Sequence, residues 1–283
     1  MTAAASPAHL SRLFDVAGRA YVVTGAASGL GLAIAEALAA NGGRLLLLDR
    51  DAARLEEVVA QLNASSSSQA VDVADAEAVR RAVDAFITGT GRIDGLFANA
   101  GISGGAGFGT AAGATSGLLQ HQEGSHWQSI LDVNLLGVLN SLQSVVPAMK
   151  RQRGGSIVIT ASITGMQAEP FVSYAYAAAK AAVIQVMRQS ALELAPYGIR
   201  VNAMAPGFIK TAIGGGRLHD AAVESALVRK IPLGRLGAAH EVQGIALLLA
   251  SDAGSYMTGT LLPIDGGALL GPPPPATSID ASS

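Results

Sequence analysis

What most limits the possible folds of this chain is its rhythm: short apolar runs, each followed by a longer segment of helical character. Ala20–Thr24, Leu45–Leu48, Gly95–Asn99, Ser156–Ala161, Ile199–Ala203 and Thr260–Ile264 read as strands, with Gln69–Val73 a further one. Between them, Leu30–Ala40, Asp51–Leu62, Ala76–Thr88, Trp127–Lys150 and Ser173–Tyr197 read as helices. Runs of Val, Ile and Leu that carry no polar alternation must be covered on both faces. Joined by helices, they form parallel β-α-β units. Right-handed crossovers then give a doubly wound α/β domain, a parallel sheet of about seven strands with helices on both faces.

We expect this domain to span 15–270, preceded by a flexible 1–14 segment. A Pro/Ser-rich tail over 271–283 follows it, because four consecutive prolines can enter neither a helix nor a central strand. Two connections break the rhythm. Residues 102–125 form a Gly/Ala/Ser-rich insertion, and 208–230 form a candidate lid. Both leave the carboxyl edge of the sheet, where doubly wound folds bind their ligands.

Composition excludes several classes. Nineteen basic and 21 acidic side chains nearly cancel, which leaves no electrostatic footprint for nucleic acid or an anionic membrane. The absence of cysteine removes disulfides, thiol nucleophiles and thiolate metal sites. His121 and His126 with Glu123 lack the order of a metal site, and we expect no metal. No apolar run approaches the roughly 20 residues needed to span a bilayer, and the first residues lack the pattern of a signal peptide. The expected location is cytoplasmic.

The turn Thr24-Gly25-Ala26-Ala27-Ser28-Gly29-Leu30-Gly31 joins the first strand to the first helix. Glycines allow close backbone approach to a pyrophosphate, and the helix N-terminus offers unpaired N–H groups with partial positive charge. That position, strand before and helix after, points to a dinucleotide. Asp49 ends the second strand, where its carboxylate can accept the ribose 2′-hydroxyl and would repel a 2′-phosphate. NAD is therefore favoured. Arg50 beside it keeps NADP as the alternative.

Tyr176 and Lys180 are four apart on a helix and so share one face. Oxidising an alcohol needs a base for the hydroxyl proton, and a free phenol with a pKa of about 10 is a poor one at neutral pH. A neighbouring ammonium favours the phenolate.

With spacing TGxxxGxG, an Asn99-Ala100-Gly101 element and Tyr-x-x-x-Lys, the chain resembles the short-chain dehydrogenase/reductase family of Rossmann-type oxidoreductases over about residues 15–270. The resemblance implies further roles. Ser162 would orient the substrate, although it stands one residue farther from Tyr176 than the family spacing. Asn134 would support a proton relay to Lys180. Asp72 and Val73, read as the end of the third strand, would contact adenine. Pro206, Gly207, Ile209 and Thr211 would line the nicotinamide end. Gln167 and Glu169 are plausible pocket wall, and Lys210, Arg217 and His219 of the lid could meet an anionic group or simply face water.

The expected partner is a small-molecule secondary alcohol or ketone, and the expected assembly a homotetramer or dimer through the two long helices. A non-catalytic nucleotide sensor on the same fold is the competing class.

Overall fold

The computed structural model describes residues 12–62, 65–211, 213, 216, 218 and 220–273. Its strands are β1 (Ala20–Thr24), β2 (Arg44–Asp49), β3 (Ser66–Ala70), β4 (Gly95–Ala98), β5 (Gly155–Thr160), β6 (Ile199–Pro206), β7 (Ile209–Lys210), β8 (Gly237–Ala238) and β9 (Leu261–Ile264). Its α-helices are α1 (Gly29–Ala40), α2 (Ala52–Gln61), α3 (Ala76–Thr90), α4 (Gly124–Leu131), α5 (Gly137–Gln152), α6 (Tyr174–Leu194), α7 (Ala221–Val228) and α8 (Gln243–Ala250). Seven strands form one parallel sheet in the order β3-β2-β1-β4-β5-β6-β9, as the doubly wound expectation requires. The strand order reverses between β1 and β4, and that reversal opens a crevice at the carboxyl edge.

Side-chain alternation explains why the central strands are largely apolar. Val22, Leu46, Leu48, Leu96, Ile157 and Ile159 join Val83, Val145, Met149 and Val183 in the core of one face. Tyr21, Val23, Leu45, Leu47, Phe97 and Val158 join Ile34, Leu38, Val242 and Leu249 in the core of the other. Each central strand feeds two cores, so most of its positions are apolar.

Element ends follow local chemistry. Asp51 caps α2 by accepting from Arg54 N at 3.0 Å, and Asp75 caps α3 through Glu77 N and Ala78 N. Ser173 caps α6, accepting from Tyr176 N at 3.3 Å.

Four expectations are corrected. The third strand is Ser66–Ala70, not Gln69–Val73, so Asp72 and Val73 lie in the turn beyond it. β3 is the sheet edge and mostly exposed, so a serine-rich run suffices there and the apolar pattern misleads. The helix expected at Trp127–Lys150 starts at Gly124 and is interrupted at Asp132–Leu136 by a widened π-type turn. The second long helix stops at Leu194, followed by a tight turn over Ala195–Tyr197. Gly124–Gln152 does reach the length and mean hydropathy, 1.3, that could cross a membrane, although 44% of that window is buried inside the fold. It packs against α3 and α6 as a core helix.

Neither long connection is structureless. The 102–125 insertion contains a short 3-10 turn at Leu119–His121. The lid carries β7 and α7, and Leu227 and Ile231 join a small core with Ile163, Ala205 and Leu236. Arg217, His219, the 1–11 segment and the tail from 274 lie outside the described residues.

Candidate active site

A cleft of about 900 Å³ opens at the carboxyl edge. At one end it is lined by Gly25, Ser28, Gly29, Leu30, Asp49 and Arg50, and deeper in by Asn99, Ala100 and Gly101. Ser162, Tyr176 and Lys180 follow, and Pro206, Gly207, Ile209 and Thr211 close one side. Most residues singled out in the sequence therefore meet in one space. Gly31, Asp72, Val73 and Asn134 do not line it.

Gly31 shapes the cleft without facing it. A Cβ there would stand 2.0 Å from the Gly25 carbonyl oxygen, so only glycine lets α1 start so close to the loop. Gly25 has φ +66° and backs onto Ala100, whose Cα would lie 2.8 Å from an added Cβ. Ser28 precedes α1 with no side-chain cap of its own, and no acidic residue occupies the first turn. The helix N-terminus thus presents N–H groups and positive potential with no carboxylate in its own first turn.

Asp49 is fixed from two sides: one carboxylate oxygen accepts from Ala27 N at 3.0 Å, the other from Asp51 N at 3.2 Å. Val71 N donates to the Asp49 carbonyl at 2.7 Å, which puts Asp72 one residue past that contact. Asp72 accepts from Ala74 N, and Val73 packs under Gly137.

Asn99 ties the sheet reversal together. Its amide donates to Gly25 O at 3.3 Å, and its carbonyl accepts from the Thr160 hydroxyl at 3.0 Å. Thr24 Oγ1 accepts from both Asn99 N and Ala100 N.

At the other end, the π-type turn projects Asn134 inward. This fully buried side chain donates to Ile102 O at 2.9 Å and Ile130 O at 3.0 Å, and accepts from Ile102 N at 3.2 Å. Gly101 leaves space next to it: a Cβ there would be 2.7 Å from Asn134 Oδ1 and 3.6 Å from Lys180 Nζ. The two polar groups flank one gap. Lys180 Nζ donates to Thr160 O at 2.8 Å and stands 5.7 Å from the centre of the Tyr176 ring.

Burial lowers the Lys180 pKa to about 8. Burial raises that of Tyr176, opposed by a hydrogen bond with Ser162 that favours the phenolate. Ser162 also accepts from Thr164 N and Thr164 Oγ1, so it caps the Ile163–Gly165 turn while facing the cleft.

Some expectations separate. Gln167 and Glu169 do not line the cleft; Glu169 instead meets Lys230 of the lid at 3.1 Å. Lys210 pairs with Glu224 at 2.7 Å. Sequence reading missed Thr160, whose carbonyl holds Lys180; its only signal was its place at the end of a strand. It also passed over Ser103, Gly104, Ser129 and Ile130, which sit within the Gly-rich insertion or the last turn of α4.

Comparison with known proteins identifies the family. A family model described as Enoyl-(Acyl carrier protein) reductase matches residues 25–268. The 3-oxoacyl-acyl-carrier-protein reductase of Thermotoga maritima is 39% identical over 256 residues, covering 89% of this chain and 98% of that protein. The chain belongs to the short-chain dehydrogenase/reductase family.

Levodione reductase of Leifsonia aquatica is 35% identical, covering 94% of this chain and 98% of that protein. A gluconate 5-dehydrogenase from Burkholderia cenocepacia, solved with NADP and tartrate, superposes with TM-score 0.82 at 31% identity. That likeness covers 93% of this chain and 99% of the other. This member of the family is thus an oxidoreductase with a cleft for a nicotinamide nucleotide.

Proposed function

We propose that the protein is an NAD-linked dehydrogenase/reductase interconverting a secondary alcohol and its ketone. The observation that carries this is the joining, in one cleft, of an anion-binding helix start and a Ser162/Tyr176/Lys180 cluster.

The cradle fits the nucleotide. Gly25 and Gly31 let the loop pack against Ala100 and the start of α1, and Ser28 and Leu30 present the opening of α1 to the cleft where a pyrophosphate would sit. When bound, the nicotinamide supplies or accepts the hydride. Tyr176 takes the proton from the alcohol oxygen during oxidation and returns it during reduction. Ser162 holds that oxygen by hydrogen bonding. Lys180, still largely protonated at neutral pH with its pKa of about 8, stabilises the phenolate. Asn134, fixed by Ile102 and Ile130, holds the gap beside Lys180 through which a proton can be relayed.

Asp49 supports NAD, since its fixed carboxylate lines the far end of the cleft and disfavours a 2′-phosphate. Arg50 lines the same end and supports NADP as the second reading. Initial rates with each nucleotide, followed by reduced-nicotinamide absorbance across secondary alcohols and ketones with an enoyl thioester included, test the proposal. Alcohol-dependent reduction of NAD at a higher kcat/KM than NADP is expected. Preference for NADP would move the reading to a ketone reductase, and enoyl reduction alone would overturn it.

A cytoplasmic homotetramer fits this reading. Leu136 and Leu192, 42% and 76% exposed, offer apolar surface on the two long helices, and light scattering tests the assembly.

A further inference from the structure

The insertion is a packed wall and gives the cleft a second recognition element. Ala106 pairs with Val172 in an isolated antiparallel bridge, Gly109 N donates to Pro170 O at 2.8 Å, and the Phe108 ring stacks on Tyr174 at 5.8 Å. A Cβ on Gly107 would lie 2.3 Å from Pro170 O, and one on Gly113 would lie 2.0 Å from Gly107 O. The glycines that look like flexibility in the sequence are therefore close-approach positions. This wall holds Ser103, Gly104, Gly105, Ala106 and Ala112 in the lining of the Ser162/Tyr176/Lys180 end of the cleft, beside His126, Ser129 and Ile130.

Among the described residues, this end has no charged lining side chain other than Lys180, which Thr160 O and the Tyr176 ring already engage. The two nearby lid lysines are neutralised, Lys210 by Glu224 and Lys230 by Glu169. What remains is neutral and hydrogen-bonding. His126 Nε2 lies 2.9 Å from Gly104 O. A carbonyl can only accept, so Nε2 carries the hydrogen, and in the neutral ring Nδ1 keeps the lone pair.

Resting on the oxidoreductase reading above, we propose that this wall selects an uncharged substrate of the polyol or hydroxyketone class. A hydroxyl near the reacting carbon is recognised by His126 as acceptor. His126 is then a specificity residue and takes no part in the proton transfer.

The test compares three matched ketones with the intact enzyme: one with a neighbouring hydroxyl, its deoxy counterpart, and the counterpart bearing a carboxylate. Wild type and His126→Leu are assayed, with binding followed in parallel by the emission of Trp127, the chain's single tryptophan and the next residue on α4. Wild type should favour the hydroxyketone over the carboxylate by at least about tenfold in kcat/KM. His126→Leu should raise KM for the hydroxyketone roughly five- to tenfold, the span of one lost hydrogen bond, with kcat and the deoxy ketone nearly unchanged. His126→Gln should recover part of the loss. Preference for the carboxylate overturns the substrate class. An equal effect of His126→Leu on all three ketones overturns the recognition role and leaves His126 holding Gly104. Turnover surviving in Tyr176→Phe would remove the underlying reading instead, so the two failures are distinct.

Discussion

The two ends of the cleft are built on different principles. At the nucleotide end, backbone does the work: glycines pressed against Ala100 and against each other, and one carboxylate pinned by two backbone N–H groups. At the substrate end, side chains do it, on an interrupted helix, an inserted wall and a lid fastened by ion pairs. Backbone sites tolerate almost no change but bind a feature shared by many ligands. Side-chain sites can be altered one group at a time, which is why we propose that discrimination between substrates resides there.

Substitutions should therefore act very differently at the two ends. Gly31→Ala forces a methyl into the Gly25 carbonyl, so it should cost more than about 3 kcal/mol of stability or abolish nucleotide binding. Thermal melts and nucleotide titration measure both, and a wild-type-like protein would show that the loop is not closely packed.

Lys180→Met should do the opposite to stability. Burial holds Lys180 at about 8 when folded against 10.5 unfolded, so its charge destabilises the empty fold below that window. The penalty of roughly 3 kcal/mol, offset by about 1 for the lost bond to Thr160, leaves the variant about 2 kcal/mol more stable near pH 7. Because the unfolded lysine keeps its proton longer, the wild type gains stability from about pH 8 toward 10, and the gap should close. Urea melts across that range check this; a constant gap would mean that the charge is not the cause.

Asp49→Ala should weaken NAD about tenfold, near 1.4 kcal/mol, and leave NADP unchanged or better bound. Equal losses for both nucleotides would make Asp49 a loop brace alone. The smallest effect belongs to the lid: Glu169→Gln weakens its hold on Lys230 and should cost about 1 kcal/mol in stability. It should also raise substrate KM two- to threefold with nucleotide binding unaltered. A change in nucleotide affinity instead would tie the lid to the other end.

The same contrast explains what could be read in advance. The sheet was legible because Leu45–Leu48 and Ile157–Ile159 must satisfy two cores at once, and the glycine loop because its spacing answers to backbone geometry. Tyr176 and Lys180 were legible because one helical turn separates them. The edge strand β3 was misjudged because only one neighbour constrains it. The packed insertion looked flexible because Gly107 and Gly113 are needed for contacts with residues far along the chain, such as Pro170, and no local pattern records those. The pairing of Glu169 with Lys230 was hidden for the same reason.

The most direct test of the central claim is single-turnover hydride transfer in Tyr176→Phe, measured with nucleotide affinity and the melting temperature on the same preparation. The account predicts nucleotide affinity within about twofold of wild type, an intact fold and a transfer rate lower by at least roughly a thousandfold. Transfer at the wild-type rate in a protein that binds nucleotide normally would contradict it.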